Sequence, residues 1–323
     1  MRIRRRTVTS LGMAIACWPR FAIAATYPSH PVRLVIGSAA GSSPDAIARL
    51  VAEGMSHHLG QPVVVENKPG ASTSIGMGQV ARSAPDGYLA GYATPALVLN
   101  AALHMALPFD AERDLQPVVQ FGAQALVWVV GPGSPYETID EFIGTARRQP
   151  EMLSFASTGL GSIFHLAMER ICVATGAKLL HVPYLSGPQA LTDLMGGAVD
   201  CMLNAVNVVL PHLRSGRLRA LAITGRHRAP LLPEVPTIAE RLVPDFDVQS
   251  WGGLVVPART PRDVVSTLNS AANRALAEPQ VIEALSQTGY DIVGGTSDRF
   301  RQFLRDESRH WADVIARTGI TLR

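Results

Sequence analysis

The feature that most constrains the fold is a regular alternation of unbroken apolar segments with amphipathic ones. Val32–Ile36, residues 63–65 and Leu89–Ala93 are apolar except for Arg33, whereas residues 45–58 carry apolar side chains near helical spacing. Strands without polar alternation are buried on both faces, which is typical of a parallel sheet covered by helices. The sequence therefore predicts an α/β fold with a mostly parallel sheet.

The alternation starts again in the middle of the chain, and 323 residues at about 150 per domain give two domains. The segment after residue 250 is mainly helical and has no glycine-rich loop of its own, so we expect it to return to the first unit. The chain then crosses between the units twice. The predicted units are residues 25–125 with 250–323, and residues 126–249.

One glycine- and hydroxyl-rich loop follows an apolar strand in each unit. Residues 40–45 read AGSSPD and residues 157–162 read STGLGS. Glycine lets backbone amides approach a ligand, hydroxyls are short donors, and the free N–H groups of a helix N-terminus favour negative charge. Ordinary strand-to-helix turns use the same residue types. Because the loops form a pair, we favour a cleft that binds a small anion.

The first 24 residues have the pattern of a secretory signal. Arg2 and the arginines at 4–6 precede an apolar run at 8–18, and small residues allow cleavage near Ala24. That run is shorter than the roughly 20 residues that span a bilayer. The arginine pair at 5–6 leaves the twin-arginine route open, and Cys17 leaves a lipid anchor open. We expect the protein to be exported.

The basic character of the chain belongs to that segment. Residues 1–24 hold five of the 29 Lys and Arg residues and none of the 26 Asp and Glu residues, so without them the formal charge changes from +3 to −2. No later segment clusters Lys and Arg as a nucleic-acid-binding surface does. Nucleic acid is therefore not an expected partner.

The sequence contains no recognisable motif for catalysis, for cofactor binding or for metal binding. His57 and His58 are adjacent and would point to different sides of a helix, and Phe164 stands where a dinucleotide fingerprint needs its third glycine. A nucleophile elbow, G-x-S-x-G, is missing from the sequence. Cys172 and Cys201 could form a disulfide or remain two buried thiols. We expect no enzyme, no metal and no cofactor.

Nine short segments in a fixed order carry a family resemblance. They are YPSHP (27–31), VVVENKPGAS (63–72), APDGY (84–88), SFASTGLGS (154–162) with the HL at 165–166, HVPY (181–184), LTDLMGGAVD (191–200), GRLRALAITG (216–225), PEVPTIAE (233–240) and residues 251–261. Together they resemble the Bug family, the TctC-type extracytoplasmic solute receptors of tripartite tricarboxylate transport systems.

The resemblance implies a two-lobed periplasmic binding protein of the type II-like fold, with two Rossmann-like domains joined by a double crossover hinge. Such a receptor is a monomer that closes around a small carboxylate and delivers it to the membrane subunits of a transporter. A sensor that presents the closed lobes to a partner such as a sensor kinase uses the same closure and stays open as an alternative. A hydrolase is the rival class.

The resemblance also implies that loops of both lobes hold the ligand carboxylate. We expect Asp45 to support the site as the N-cap of the first helix, because an anion site does not favour a facing carboxylate. His165 either contacts the ligand or orients the loop. The expected ligand-binding residues are Ala40, Gly41, Ser42, Ser43, Ser72, Thr73, Thr94, Ser157, Thr158, Gly159, Gly161, Ser162, His165, Tyr184, Ser186 and Asn204.

Several positions depart from the family pattern. Ser42, Ser72 and Thr73 stand where the family tends to have glycine, and each adds a hydroxyl donor. Residues 37–38 are Gly-Ser in place of the usual Pro-Phe. Asn204 stands where Asp is common, which removes a partner for a ligand ammonium. We therefore expect a preference for carboxylates that lack an amine.

Overall fold

The structure, a computed structural model, describes residues 27–320. The predicted export signal lies outside these residues. The strands are β1 (Val32–Ile36), β2 (Val63–Asn67), β3 (Leu89–Ala93), β4 (Leu115–Val130), β5 (Ser154–Ser157), β6 (Leu180–Pro183), β7 (Cys201–Ala205), β8 (Arg219–Ile223), β9 (Gln249–Pro257) and β10 (Asp291–Ile292). The helices are α1 (Ser43–Leu59), α2 (Ser74–Ala81), α3 (Ala96–Ala102), α4 (Ala111–Asp114), α5 (Ile139–Arg148), α6 (Ile163–Thr175), α7 (Gly187–Met195), α8 (Val206–Arg214), α9 (Ile238–Arg241), α10 (Arg262–Leu276), α11 (Pro279–Ser286) and α12 (Ser297–Thr318).

The first sheet contains the strands predicted from the apolar runs. β1 pairs in parallel with β2 and β3, and β3 and all of β1 except Arg33 are buried. β2 lies at the edge of the sheet with Val64 45% exposed, so the expectation that it is buried on both faces is wrong. β9 returns antiparallel to β3 and then pairs along the first part of β4. The helices α1 and α10 pack together over one face, where Met55 and Leu268 are buried. The late segment thus completes the first sheet.

The second sheet is built around the other end of β4. β5 pairs in parallel with β6 and β7, while β7 and β8 run antiparallel to β4. Its core centres on Trp128, whose ring meets Phe142 of α5 edge-on at 5.4 Å between centroids. α5 begins with a capping box in which Thr138 and Glu141 bond each other's backbone amides. We refer to the two sheets with their helices as the first and second lobes.

Two chain segments connect the lobes side by side. β4 pairs with β9 up to Ala125 and with β7 from Leu126 onward. Thr224, which is fully buried, bonds both connections through one hydroxyl: its Oγ1 accepts from the Leu126 amide at 2.8 Å and donates to the Val248 carbonyl at 2.6 Å. The lobes therefore meet where two adjacent segments and one side chain form a short junction.

Candidate ligand-binding site

The candidate site lies where the carboxyl ends of parallel strands from both lobes face each other. In the first lobe the loops at 37–42, 68–73 and 94–95 follow β1, β2 and β3. In the second lobe the loops at 158–162 and 184–186 follow β5 and β6. Open α/β sheets bind ligands at this edge because the loops and helix N-termini converge there.

These loops enclose a cavity of about 390 Å³. Twelve of the sixteen predicted residues line it, from both lobes. They are Gly41, Ser42, Ser43, Ser72, Thr73, Thr94, Thr158, Gly159, Ser162, Tyr184, Ser186 and Asn204. The four that lie outside the lining are Ala40, Ser157, Gly161 and His165.

The first jaw of the cavity is the N-terminus of α1. Ser42 is its N-cap, but the Ser42 hydroxyl donates to the Ala39 carbonyl at 2.6 Å instead of accepting from the helix. The Ser43 and Asp45 amides therefore have no hydrogen-bond partner among residues 27–320. Uncapped N–H groups at a helix N-terminus attract anions.

Asp45 supports this jaw from inside the first turn, so the expectation that it is the N-cap is wrong. Pro44 occupies the first turn, where its fixed φ is favoured, and the helix starts two residues before Asp45. The Asp45 carboxylate accepts from the Gly41 amide at 3.0 Å, from Asn67 at 2.9 Å and from Arg49 at 3.0 Å. Burial alone would raise the pKa of Asp45, but these bonds lower it below its ordinary value.

The loop after β2 has an uncommon backbone. Ala71, Ser72 and Thr73 all have positive φ, of 45°, 49° and 71°. Residues with a Cβ resist this left-handed region, at roughly 1–2 kcal/mol each. The Ser72 carbonyl accepts from Asn100 Nδ2 at 2.9 Å, and the Ser72 hydroxyl donates to the Leu160 carbonyl at 2.9 Å. The second bond crosses the cavity and joins the lobes.

Side-chain caps and an amide complete the second jaw. Ser162 caps α6 through the His165 amide, and Ser186 caps α7 through the Gln189 amide. Asn204 is 5% exposed, and its Oδ1 accepts from the Ala205 amide at 2.8 Å. Its Nδ2 also donates to Sδ of Met202 at 3.9 Å, which leaves one N–H donor for the cavity that Asn204 lines.

Ser157 and two histidines lie beneath the loop at 158–162. Ser157 is fully buried and its Oγ lies 2.7 Å from Nε2 of His181. The His165 and His181 rings stack at 4.1 Å, and Nδ1 of His165 accepts from the Gly161 amide at 3.2 Å. Burial lowers the pKa of each histidine to about 4, with His181 adding to the effect on His165. These side chains therefore support the backbone of the loop on the side that faces away from the cavity.

Sequence reasoning missed much of the lining. Ser38 and Ser250 add hydroxyls, and Leu160, Leu185 and Phe164 add apolar surface. Leu160 lies inside the loop that the glycine and hydroxyl pattern selected, and Leu185 lies between Tyr184 and Ser186, which the resemblance implied. Their side chains have no hydrogen-bond donor, so a donor pattern does not indicate them. Their exposure depends on the paths of the loops in space.

Within residues 27–320, the cavity has no lining Asp, Glu, Lys, Arg or His side chain. Charge on a ligand would therefore meet the N-termini of α1, α2 and α6, whose partial positive charge favours an anion. The part of the chain that the structure describes holds no cluster of three or more His, Cys, Asp or Glu residues suited to a metal ion. The arrangement can bind and orient an anion through backbone amides, hydroxyls and one amide.

A larger cavity of about 800 Å³ lies on the first lobe, between α3, α4 and α12. Its lining includes Arg301, Arg305 and Glu112, but of the described residues it includes none of the sixteen predicted for binding. It belongs to one lobe alone. The cavity at the facing strand ends is therefore the candidate site, because both lobes supply its loops.

None of the helices described in residues 27–320 combines the length and apolarity needed to cross a bilayer.

Two α/β lobes, a double connection and a shared cleft define the class of two-lobed solute-binding proteins. Residues 47–320 match the family described as the tripartite tricarboxylate transporter family receptor, TctC. The chain belongs to this family, whose members are periplasmic solute-binding receptors.

Individual relatives agree with this assignment. Protein BugT of Bordetella pertussis is 36% identical over 300 residues, which cover 92% of each chain. The solved structure of periplasmic binding protein BugD has a TM-score of 0.87 and 30% identity, covering 91% of this chain and 99% of that one. A structure of R. palustris Rpa4515 with adipate has a TM-score of 0.88 and 30% identity, covering 91% and 99%. The predicted family and two-lobed fold are confirmed.

Proposed function

We propose that the cleft binds a small carboxylate and that the closed receptor delivers it to the membrane subunits of a tripartite tricarboxylate-type transporter. The composition of the cavity supports this proposal. Both lobes line the cavity, the N-termini of helices point to it, and none of the described residues in its wall has a charged side chain. Backbone amides and hydroxyls suit carboxylate oxygens. Adipate in the structure of Rpa4515 supports the ligand class.

The proposal includes the twelve lining residues as the ligand contacts, and Asp45 and His165 as supports of their loops. Asn204 presents one N–H donor to the cavity, and its oxygen is already bonded to the Ala205 amide. A ligand ammonium therefore lacks a carboxylate partner here, and we infer a preference for acids without an amine. The receptor acts without catalysis, as a monomer with lobes at 25–125 with 250–323 and at 126–249. Export to the periplasm with cleavage near Ala24 completes the proposal.

A thermal-shift screen of mono-, di- and tricarboxylates, with aspartate and glutamate as amine-bearing comparisons, tests binding. A ligand at 100 times its Kd adds about 2.7 kcal/mol to the free energy of unfolding. Ser42→Leu should abolish the shift because it fills the first jaw, whereas Ser215→Leu, at an exposed position at the C-terminal end of α8, should keep it. If no acid stabilises the protein, or if an acid is chemically converted, the proposal fails.

Delivery to a transporter needs its own test. Deleting the gene should abolish uptake of the acid that the screen identifies, at concentrations near its Kd. A plasmid copy of the wild-type gene should restore uptake, and the Ser42→Leu copy should not. Unchanged uptake accompanied by altered gene expression would favour the sensor.

A further inference from the structure

The wall of the cavity divides into a polar part and an apolar part. Among the lining hydroxyls without a side-chain hydrogen bond to a described residue, Ser38, Thr73 and Thr94 belong to the first lobe and Thr158 to the second. The large apolar side chains come mainly from the second lobe, as Leu160, Phe164, Leu185 and Val208. A ligand that spans the cleft therefore meets mainly hydroxyl donors on the first lobe, and on the second lobe a large apolar surface beside the Thr158 hydroxyl and the Asn204 amide.

The apolar part is left open to solvent. Leu185 is 94% exposed and Leu160 is 38% exposed, and both belong to the eight large apolar side chains that stand exposed within residues 27–320. Leu185 is the most exposed of the eight. Exposed apolar groups at the edge of a pocket mark a surface that a partner covers. The polar neighbours Tyr184 and Ser186 on either side do not shield it.

A polar ligand would be poorly matched to this surface. A second carboxylate or a hydroxyl placed against Leu160, Phe164 and Leu185 would lose water without gaining a donor from these side chains, which is unfavourable. A hydrocarbon group at the same place would release water from both surfaces. Cavities of about 150 Å³ accept benzene, so the 390 Å³ observed accommodates a ring together with a carboxylate.

We propose that the ligand is a carboxylate with an apolar body of about ring size, whose acid group lies against the donors of the first lobe and whose hydrocarbon body covers Leu160, Phe164 and Leu185. This inference rests on the proposed function and narrows its ligand class. It assigns specificity to Leu185, which the donor pattern of the loops does not single out. The inference predicts discrimination against short hydroxylated acids such as malate and citrate.

Isothermal titration calorimetry of the whole secreted protein tests it with five probes: benzoate, cyclohexanecarboxylate, malate, citrate and acetate. We expect benzoate or cyclohexanecarboxylate to bind at least tenfold more tightly than malate and citrate. Acetate, which has the carboxylate without the body, should bind most weakly. Tighter binding of malate or citrate than of either apolar acid would overturn the inference and leave the proposed function standing, whereas no binding by any acid would overturn both.

A pair of leucine variants locates the body. Leu185→Asn should weaken binding of the tighter apolar acid at least threefold, while acetate binding stays the same. Leu180→Asn is the matched control, since Leu180 is 52% exposed, lies in β6 and does not line the cavity. Both positions are exposed, so both variants should fold, as circular dichroism can verify. Equal affinities of the two variants for the apolar acid would overturn the assignment of Leu185.

Discussion

The Ser72 hydroxyl donates a 2.9 Å hydrogen bond to the Leu160 carbonyl oxygen and so joins the two lobes across the cavity. Ser72 lies in the left-handed run at 71–73, which holds its side chain toward the second lobe. The bond can form only when the lobes approach each other. It therefore stabilises the closed form relative to an open one, and ligand affinity depends on that balance.

Ser72→Ala should weaken ligand binding by about 2- to 10-fold, because a net hydrogen bond contributes about 0.5–1.5 kcal/mol. Calorimetry measures the affinity, and small-angle scattering should show a larger radius of gyration for the unliganded variant. Ser215→Ala is the control, because its hydroxyl bonds locally to the His212 carbonyl. Wild-type affinity and compactness in Ser72→Ala would show that the bond plays no part in closure.

Thr224 offers a second test, at the junction of the lobes. Thr224→Val keeps the shape but leaves the Leu126 amide and the Val248 carbonyl without this partner, so we expect a loss of about 1–3 kcal/mol in the free energy of unfolding. Thr224→Ser keeps the hydroxyl and should lose less, since only a methyl group is removed. Urea denaturation measures both. Equal losses in the two variants would contradict a role for the hydroxyl.

Much of the fold could be predicted because its signals are local. The apolar runs correspond to β1 and β3, and the loops that follow them line the cavity. β4 was harder to predict, because the apolar stretch at 126–130 is only the last five residues of a 16-residue strand that begins at Leu115. The first half of β4 contains Pro117 and two glutamines, so its sequence does not have the apolar pattern that predicts a buried strand. It is a strand because it pairs with β9.

The orientation of individual side chains was harder to predict from the sequence. Ser157 ends β5, whose last three residues are all buried, so alternation along the strand gives no sign that its hydroxyl turns to His181. The position of Asp45 in the helix depends on which residue begins the first turn. With Pro44 in that turn, the helix begins at Ser43, and Asp45 is its third residue. The exposure of Leu185 depends on the paths of two loops in space. Such features arise from tertiary packing.

The thiols of Cys172 and Cys201 are both free and buried in the same core cluster. Burial raises the pKa of Cys172 to about 12 and that of Cys201 well above its usual value, so neither forms a reactive thiolate at pH 8. Iodoacetamide should therefore label neither in the native protein and both in urea without reductant, as peptide mass spectrometry can detect. A disulfide-linked peptide pair would contradict this.

The stacked histidines predict how stability depends on pH. Each has a folded-state pKa of about 4 against 6.5 for an unperturbed histidine, so the unfolded chain binds more protons between these values. Stability is then fully present above pH 6.5 and is lost as pH falls toward 4. Glu169, 3.8 Å from His165, works in the opposite direction, because burial raises its pKa.

His181→Gln should reduce this loss of stability at acidic pH. Between pH 7.5 and pH 5.0 one such histidine contributes at most about 2 kcal/mol, since the unfolded value lies 1.5 pH units above 5.0 and one unit corresponds to about 1.4 kcal/mol; half-buried His181 contributes less. We expect urea denaturation to show a difference between the two pH values that is about 1 kcal/mol smaller in His181→Gln than in the wild type. His227→Gln, at an exposed position, should behave as the wild type does. The same pH dependence in all three proteins would show that burial of His181 does not govern acid stability.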